Sequence, residues 1–181
     1  MASQNDEFTM LYREFYPSLC RFLEGLLGGR TALAQDLAQE SFLQLHRTVW
    51  GTLPAAEARF WLYRVARNLV INEIRKGHTR YRLLDRVVEV MRPRSRTPEE
   101  LYEAQERQQL ILEMLMTLPE DQRAALLLRE QEQLSYREIS EVLNVSESKV
   151  KVDIFRARAG LRQRWLKRVQ SAGADWLSSQ S

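Results

Sequence analysis

The sequence predicts an all-α protein built as two small helical domains joined by a flexible linker. Apolar residues recur at spacings of three and four along most of the chain, the pattern of helices that bury one face. Only 7 Gly and 5 Pro occur in 181 residues, too few for a protein of many tight turns. A basic, proline-containing stretch at 81–98 interrupts the periodicity and has little to bury. The length suits one domain or two small ones, at roughly 100–200 residues per domain.

The first helix carries Phe8, Leu11, Tyr12, Phe15, Leu19, Phe22, Leu23 and Leu26 on one face, and Gly28-Gly29 stops it. A second starts near Thr31, carries Leu33, Leu37, Ala38, Phe42, Leu45 and Val49, and ends before Gly51-Thr52-Leu53-Pro54. The third begins near Glu57 and passes Phe60, Leu62, Val65, Leu69 and Ile74 to a break expected at Gly77-His78. Three such helices can cover one another's apolar stripes, giving a first domain over 1–80. The linker, 81–98, holds two short apolar clusters, with one helical turn expected at Leu83–Met91 and Pro93 set among Arg92, Arg94 and Arg96.

Thr97-Pro98-Glu99-Glu100 is a strong helix start, with Thr as cap, Pro first in the helix and Glu three after the cap. Leu101, Ile111, Leu112 and Leu115 carry that helix to Leu118-Pro119, and a shorter one follows from Asp121 to about Gln131. Ser135 and Glu138 form a capping box that opens a two-turn helix, with Ile139, Val142 and Leu143 facing inward. Asn144-Val145 suits a tight turn, because Asn tolerates left-handed backbone angles. Ser146 then caps a last helix with Val150, Ile154, Ala157 and Leu161 inward. This order is helix-turn-helix geometry, and it completes a second domain over 99–170, with 171–181 as a tail that carries Trp176 and Leu177.

Composition excludes several function classes. The single Cys20, in an apolar run, rules out an internal disulfide framework and reads as a small core residue. The two His residues, His46 and His78, form no metal-ligand spacing with carboxylates, and no phosphate-cradling Gly loop occurs. No enzyme, no metal site, no cofactor and no small-molecule substrate are expected. The N-terminus is polar and acidic, and no apolar run approaches the roughly 20 residues of a membrane span. A cytoplasmic protein with no direct membrane insertion is expected.

Charge carries more information when it is resolved along the chain. The formal net charge is +3, yet residues 1–58 carry −3, residues 59–96 +8, residues 97–147 −8 and residues 148–181 +6. Two basic blocks of this size point to two surfaces for a polyanion. The +6 block contains the outward face of the last helix, Ser148, Lys149, Lys151, Val152, Phe155 and Arg156. A helix fits the DNA major groove, where Lys and Arg reach phosphates or guanine edges and an apolar side chain meets a thymine methyl. Asp153 is unfavourable there unless it points away from the groove or accepts from a cytosine amino group. Within the +8 block, Arg64, Arg67, Asn68, Ile71 and Arg75 lie near one side of the third helix, one turn beyond Trp61. Cations, amides and aromatic rings in that order suit an unstacked single strand.

Three segments together resemble a sigma factor of the extracytoplasmic-function (ECF, group 4) class of the sigma-70 family. They are Asp36-Leu-Ala-Gln-Glu-Ser-Phe-Leu-Gln-Leu-His-Arg47, the run Phe60-Trp-Leu-Tyr-Arg-Val-Ala-Arg-Asn-Leu-Val-Ile-Asn-Glu-Ile-Arg-Lys76, and Leu118-Pro-Glu-Asp-Gln-Arg123 leading into the helix-turn-helix. The resemblance implies that 1–80 is sigma region 2 and 99–170 sigma region 4. It implies transcription initiation by promoter recognition, with core RNA polymerase as partner through its beta-prime clamp helices and beta flap, and an anti-sigma factor as regulator. Asp36, Gln39 and Glu40 match the polymerase-binding helix. Trp61, Arg64, Arg67, Asn68, Asn72, Arg75 and Lys76 match segments that melt and read the −10 element, with Asn68 lining a flipped-base pocket that the Gly51–Ala56 loop completes. Ser148, Lys149, Lys151, Val152, Phe155 and Arg156 match the −35 reader. The alternative from another class is a stand-alone helix-turn-helix transcriptional regulator, which needs a dimerisation surface to read paired half-sites.

Overall fold

The computed structural model describes residues 4–80 and 98–178, and the described residues form seven α-helices and no strand. The linker stretch 81–97, with the turn expected at Leu83–Met91, lies outside the described residues. In the first half, α1 (Gln4–Leu27), α2 (Thr31–Thr48) and α3 (Ala55–Arg80) each pack on the other two. Their shared core is Phe22, Leu23, Leu26, Ala34, Ala38, Leu45, Leu62, Tyr63, Ala66 and Val70, all at 1% exposure or less. Cys20 is buried among them, and burial pushes its thiol up, as befits a core residue. Phe8 sets its ring edge-on to Phe42, His46 and Trp50, so the start of α1 is pinned to the end of α2.

α1 ends as its sequence requires. Gly28 and Gly29 take φ of 67° and 86°, and the Gly29 N–H closes on the Glu24 carbonyl at 2.9 Å. Left-handed angles of this kind cost a side-chain-bearing residue roughly 1–2 kcal/mol. The break expected at Gly77-His78 does not occur, and α3 runs on to Arg80. One interior glycine costs only about 1 kcal/mol relative to alanine, too little to stop a long helix that is already nucleated and packed.

The second half comprises α4 (Pro98–Met116), α5 (Glu120–Glu130), α6 (Tyr136–Leu143) and α7 (Glu147–Ser178). α7 continues without a break through the residues beyond 170, to Ser178. In α5 the six consecutive residues Arg123–Leu128 are buried, so this helix is covered on every side rather than on one stripe. α6 and α7 cover part of it, and α1 covers another part. Arg123, only 5% exposed, reaches back to the Leu115 carbonyl and the Met116 sulfur at the end of α4, a favourable place for a cation.

The two halves are therefore packed against each other, α1 against α4 and α5, and α3 against α6. A Cβ placed on Gly25 of α1 would meet Leu127 Cδ1 of α5 at 2.8 Å. Any larger residue there would have to push the Leu127 side chain aside. The polar centre of the seam is Tyr63, whose hydroxyl donates to Glu132 Oε2 and lies 3.1 Å from Ser18 Oγ. Arg59 donates to the Glu132 carbonyl at 2.8 Å and flanks its carboxylate at 3.9 Å. Burial and then the Glu132 carboxylate push the Tyr63 phenol well up, so it stays a donor.

Candidate nucleic-acid interface

The α6–turn–α7 unit is built by local chemistry. Ser135 Oγ accepts from Glu138 N at 3.2 Å while the Glu138 carboxylate accepts from Ser135 N at 2.7 Å, a complete capping box. Asn144 takes the left-handed angles φ 54°, ψ 50° that turn the chain, and Ser146 Oγ then caps α7 by accepting from Lys149 N at 3.2 Å. Ile139, Val142 and Leu143 on α6 and Val150, Ile154 and Ala157 on α7 are buried, so the angle between the helices is fixed by an apolar wedge.

That wedge leaves Ser148, Lys151, Val152, Phe155 and Arg156 exposed on the opposite face of α7. Phe155 is 73% exposed. Asp153 points inward: it is 6% exposed and accepts from Lys149 Nζ at 2.5 Å. The acid thus faces away from a DNA groove, and Lys149 is tethered rather than free. Lys149 also bonds Asp121 Oδ2 at 3.1 Å, and the Asp153 carboxylate first of all raises its pKa.

The α3 stripe is split by the structure. Asn68, Asn72, Arg75 and Lys76 are exposed, whereas Trp61 is half-buried and packs against the core. Arg64 and Arg67 both bond to the second half of the chain, Arg64 while remaining exposed. Arg64 Nη2 donates to the Glu141 carbonyl of α6 at 2.6 Å. Arg67 Nε and Nη2 donate to Glu120 Oε1 and Oε2 at 2.8 and 2.7 Å, and Nη2 also to Asp121 Oδ1 at 2.5 Å. Sequence reasoning missed Arg59, Tyr63, Glu120, Asp121 and Glu132 as an interacting set. The adjacency of a +8 block and a −8 block was the available signal.

On α2, Asp36 and Gln39 are exposed and Glu40 is half-exposed, accepting from Gln44 Nε2 at 2.9 Å. Leu43, 48% exposed, extends the same face by one more turn and was not anticipated. Among the described residues no three His, Cys, Asp or Glu side chains are placed to hold a metal, and no helix is long and apolar enough to cross a membrane.

Residues 11–80 match the family model for Sigma-70 region 2, and residues 108–161 match that for Sigma-70, region 4. The ECF RNA polymerase sigma factor SigW of Bacillus subtilis is 32% identical over 143 residues, covering 75% of this chain and 76% of its own. The chain belongs to the ECF RNA polymerase sigma factors. SigM of the same organism, also an ECF sigma factor, is 28% identical over 84% of this chain and 91% of its own. Two solved structures share the fold. The sigma factor RpoE of Bartonella quintana, in complex with the anti-sigma factor NepR, aligns with a TM-score of 0.67 at 19% identity over 86% of this chain and 94% of that one. CnrH, in complex with the cytosolic domain of CnrY, aligns at 0.65 and 20% identity over 91% and 90%.

In this sigma factor the region 2 match spans α1 from Leu11 to the end of α3, and the region 4 match spans α4 from Gln108 to Leu161 in α7. The family is one of promoter-specificity factors in transcription initiation, not of catalytic enzymes. A stand-alone regulator with a helix-turn-helix does not account for the region 2 match.

Proposed function

We propose that this ECF sigma factor, of the minimal group 4 type, carries core RNA polymerase to promoters by reading a −35 duplex with α7 and holding the melted −10 strand on α3. The observation that carries the reading is the pair of surfaces in one chain: an exposed Lys151–Val152–Phe155–Arg156 face on a capped helix-turn-helix, and a run of Asn68, Asn72, Arg75 and Lys76 on region 2. Phosphate contacts from Lys and Arg set register and give salt-dependent affinity, while base contacts choose the promoter. Trp61, Arg64 and Arg67 join the −10 set, with Asn68 facing a flipped base. Ser148 and Lys149 join the −35 set. Capturing the unstacked strand lowers the free energy of opening, and the polymerase supplies the chemistry.

Asp36, Gln39, Glu40 and the exposed Leu43 form the face for the beta-prime clamp helices, and region 4 meets the beta flap. A cytoplasmic location and an anti-sigma partner follow from the same reading, and the partner is supported by the structural neighbour RpoE, solved with the anti-sigma factor NepR. The test is reconstitution with core polymerase and sequencing of the transcripts made. Starts confined to a small promoter set, absent with core alone, are expected; a chain that neither binds core nor alters its start sites overturns the reading.

A further inference from the structure

Lys151 leaves the outer face of α7 toward α6. Its Nζ lies 5.7 Å from the centroid of the Tyr136 ring, within the range of a cation–π contact. Tyr136 is the first residue of α6, directly after the cap Ser135, and it is half-buried. The same ring carries a second cation, the Arg129 guanidinium, with Cζ at 5.1 Å. Arg129 is itself fixed, since its Nη1 donates to the Leu134 carbonyl at 2.7 Å. A line of contacts therefore runs from the α5–α6 loop through Arg129 and Tyr136 to the ammonium of Lys151.

Lys149 is held on the other flank. Two residues apart at 3.6 residues per turn, Lys149 and Lys151 stand on nearly opposite sides of α7, and Lys149 donates to Asp121 and Asp153 there. Between them Ser148, Val152 and Phe155, spaced four and three apart, share the outward line. Both lysines are thus drawn to the edges of the face. In a helix-turn-helix the first helix crosses the DNA backbone while the second enters the groove. A lysine held against the start of α6 meets a phosphate rather than a base edge.

We propose that Tyr136 is a positioning residue for promoter recognition: its ring holds the Lys151 ammonium at the α6 edge of the recognition face, preset for a phosphate of the −35 duplex. This rests on the assignment of α7 to that duplex. A free lysine gives up rotamer freedom when it binds DNA, and a lysine already held gives up less. The ring therefore raises affinity without touching the DNA. Because a phosphate carries no base identity, Lys151 adds affinity equally at every promoter, and base choice falls to Ser148, Val152, Phe155 and Arg156.

The test uses reconstituted holoenzyme and a promoter duplex taken from its own transcripts. Lys151→Ala weakens binding by a similar factor whatever the −35 bases, and the slope of log affinity against log salt shrinks by about one. Tyr136→Leu weakens binding roughly two- to fivefold, the worth of an exposed cation–π contact, while Tyr136→Phe and Tyr136→Trp stay close to wild type. In the Lys151→Ala background Tyr136→Leu changes nothing further, since the ring then has no ammonium to hold. Isotope-labelled reductive methylation of the full chain gives a readout free of any substitution at Tyr136. Methylation keeps the charge, and the ring current shifts the Lys151 methyl signal upfield of the Lys149 signal.

The proposal is overturned if Tyr136→Leu weakens binding as much in the Lys151→Ala background as in wild type, because Tyr136 then acts on the DNA or the fold by itself. A Lys151 methyl signal that coincides with that of Lys149 overturns it too, as does a Lys151→Ala loss confined to one −35 base pair. Should Tyr136→Leu fail to fold, the methyl shift and the Lys151→Ala profile decide. The −35 reading fails separately: Lys151→Ala, Phe155→Ala and Arg156→Ala then all bind the duplex as wild type does, even where the methyl shift places Lys151 on the ring.

Discussion

Tyr63 in α3 donates its hydroxyl proton to Glu132, 69 residues away in the α5–α6 loop, and this bond is buried at the seam between regions 2 and 4. Both side chains lie almost wholly out of solvent, and Glu132 Oε1 has no hydrogen-bond partner. Tyr63→Phe keeps the ring's fit against Phe22 but leaves a buried carboxylate with one donor fewer. Hydrogen bonds to charged groups contribute about 1.5–3 kcal/mol, and an unsatisfied buried partner costs more than replacing both. Urea unfolding should show Tyr63→Phe destabilised by about 2 kcal/mol, with Tyr63→Phe/Glu132→Leu less affected than the two single changes added together. An additive double variant would show that the bond contributes nothing of its own.

Gly25 sets how closely α5 can lie on α1. Alanine there improves helix propensity by about 1 kcal/mol yet forces Leu127 aside, since its Cβ would meet two leucine methyls at 2.8 and 2.9 Å. Gly25→Leu cannot be accommodated by a side-chain adjustment. It should part α1 from α5, increasing the radius of gyration in small-angle scattering while helical circular dichroism stays near wild type. Unchanged dimensions would mean that the halves are not held by this contact.

Acid should loosen both the seam and the helix-turn-helix. Burial alone would raise the Asp121 carboxyl, but the Lys149 hydrogen bond and the charges of Lys149 and Arg67 outweigh it and hold the group below its ordinary value. Glu138 is held low chiefly by the Ser135 side chain and then by the Ser135 backbone. Each group therefore binds its proton less readily folded than unfolded, so the unfolded chain takes up more protons as pH falls past the ordinary values near 4. The contribution is complete above that value and is lost below it. Urea midpoints measured from neutral pH downward should fall most steeply below about pH 4, and Asp121→Asn with Glu138→Gln should flatten the drop. An equally steep drop in the double variant would place the acid sensitivity elsewhere.

Local chemistry was legible in the sequence and long-range pairing was not. The capping box at Ser135 and Glu138, the left-handed Asn144, the Gly28-Gly29 stop and the inward faces of α6 and α7 depend on residues within a turn or two of each other. Periodicity reads such features directly. The helix expected from Asp121 to about Gln131 gave no sign that Arg123–Leu128 would be covered on every side, because its neighbours come from distant parts of the chain. Likewise the +8 and +6 blocks read as two surfaces for an outside polyanion. Part of that charge is satisfied within the chain, through Arg67 with Glu120 and Asp121 and through Arg59 with Glu132. Asp153 shows the same limit, since only burial reveals that it steadies Lys149 instead of facing a groove.

Arg156 and Phe155 separate recognition from stability most cleanly. Both are exposed and pack against nothing in the core, so truncating either should leave the unfolding midpoint within about 0.5 kcal/mol of wild type, as for other surface changes. If α7 reads the −35 duplex, Arg156→Ala removes one cationic contact: promoter affinity of the reconstituted holoenzyme falls by about 1–3 kcal/mol if the contact is to a base edge. If instead it meets phosphate, the loss is uniform across promoter sequences and the salt slope shrinks by about one. Phe155→Ala removes apolar contact and should leave the salt slope unchanged, because no counterion is released by an uncharged ring. Footprinting and salt titration of the three holoenzymes distinguish these outcomes, and wild-type affinity and slope in both variants would remove α7 from the −35 element.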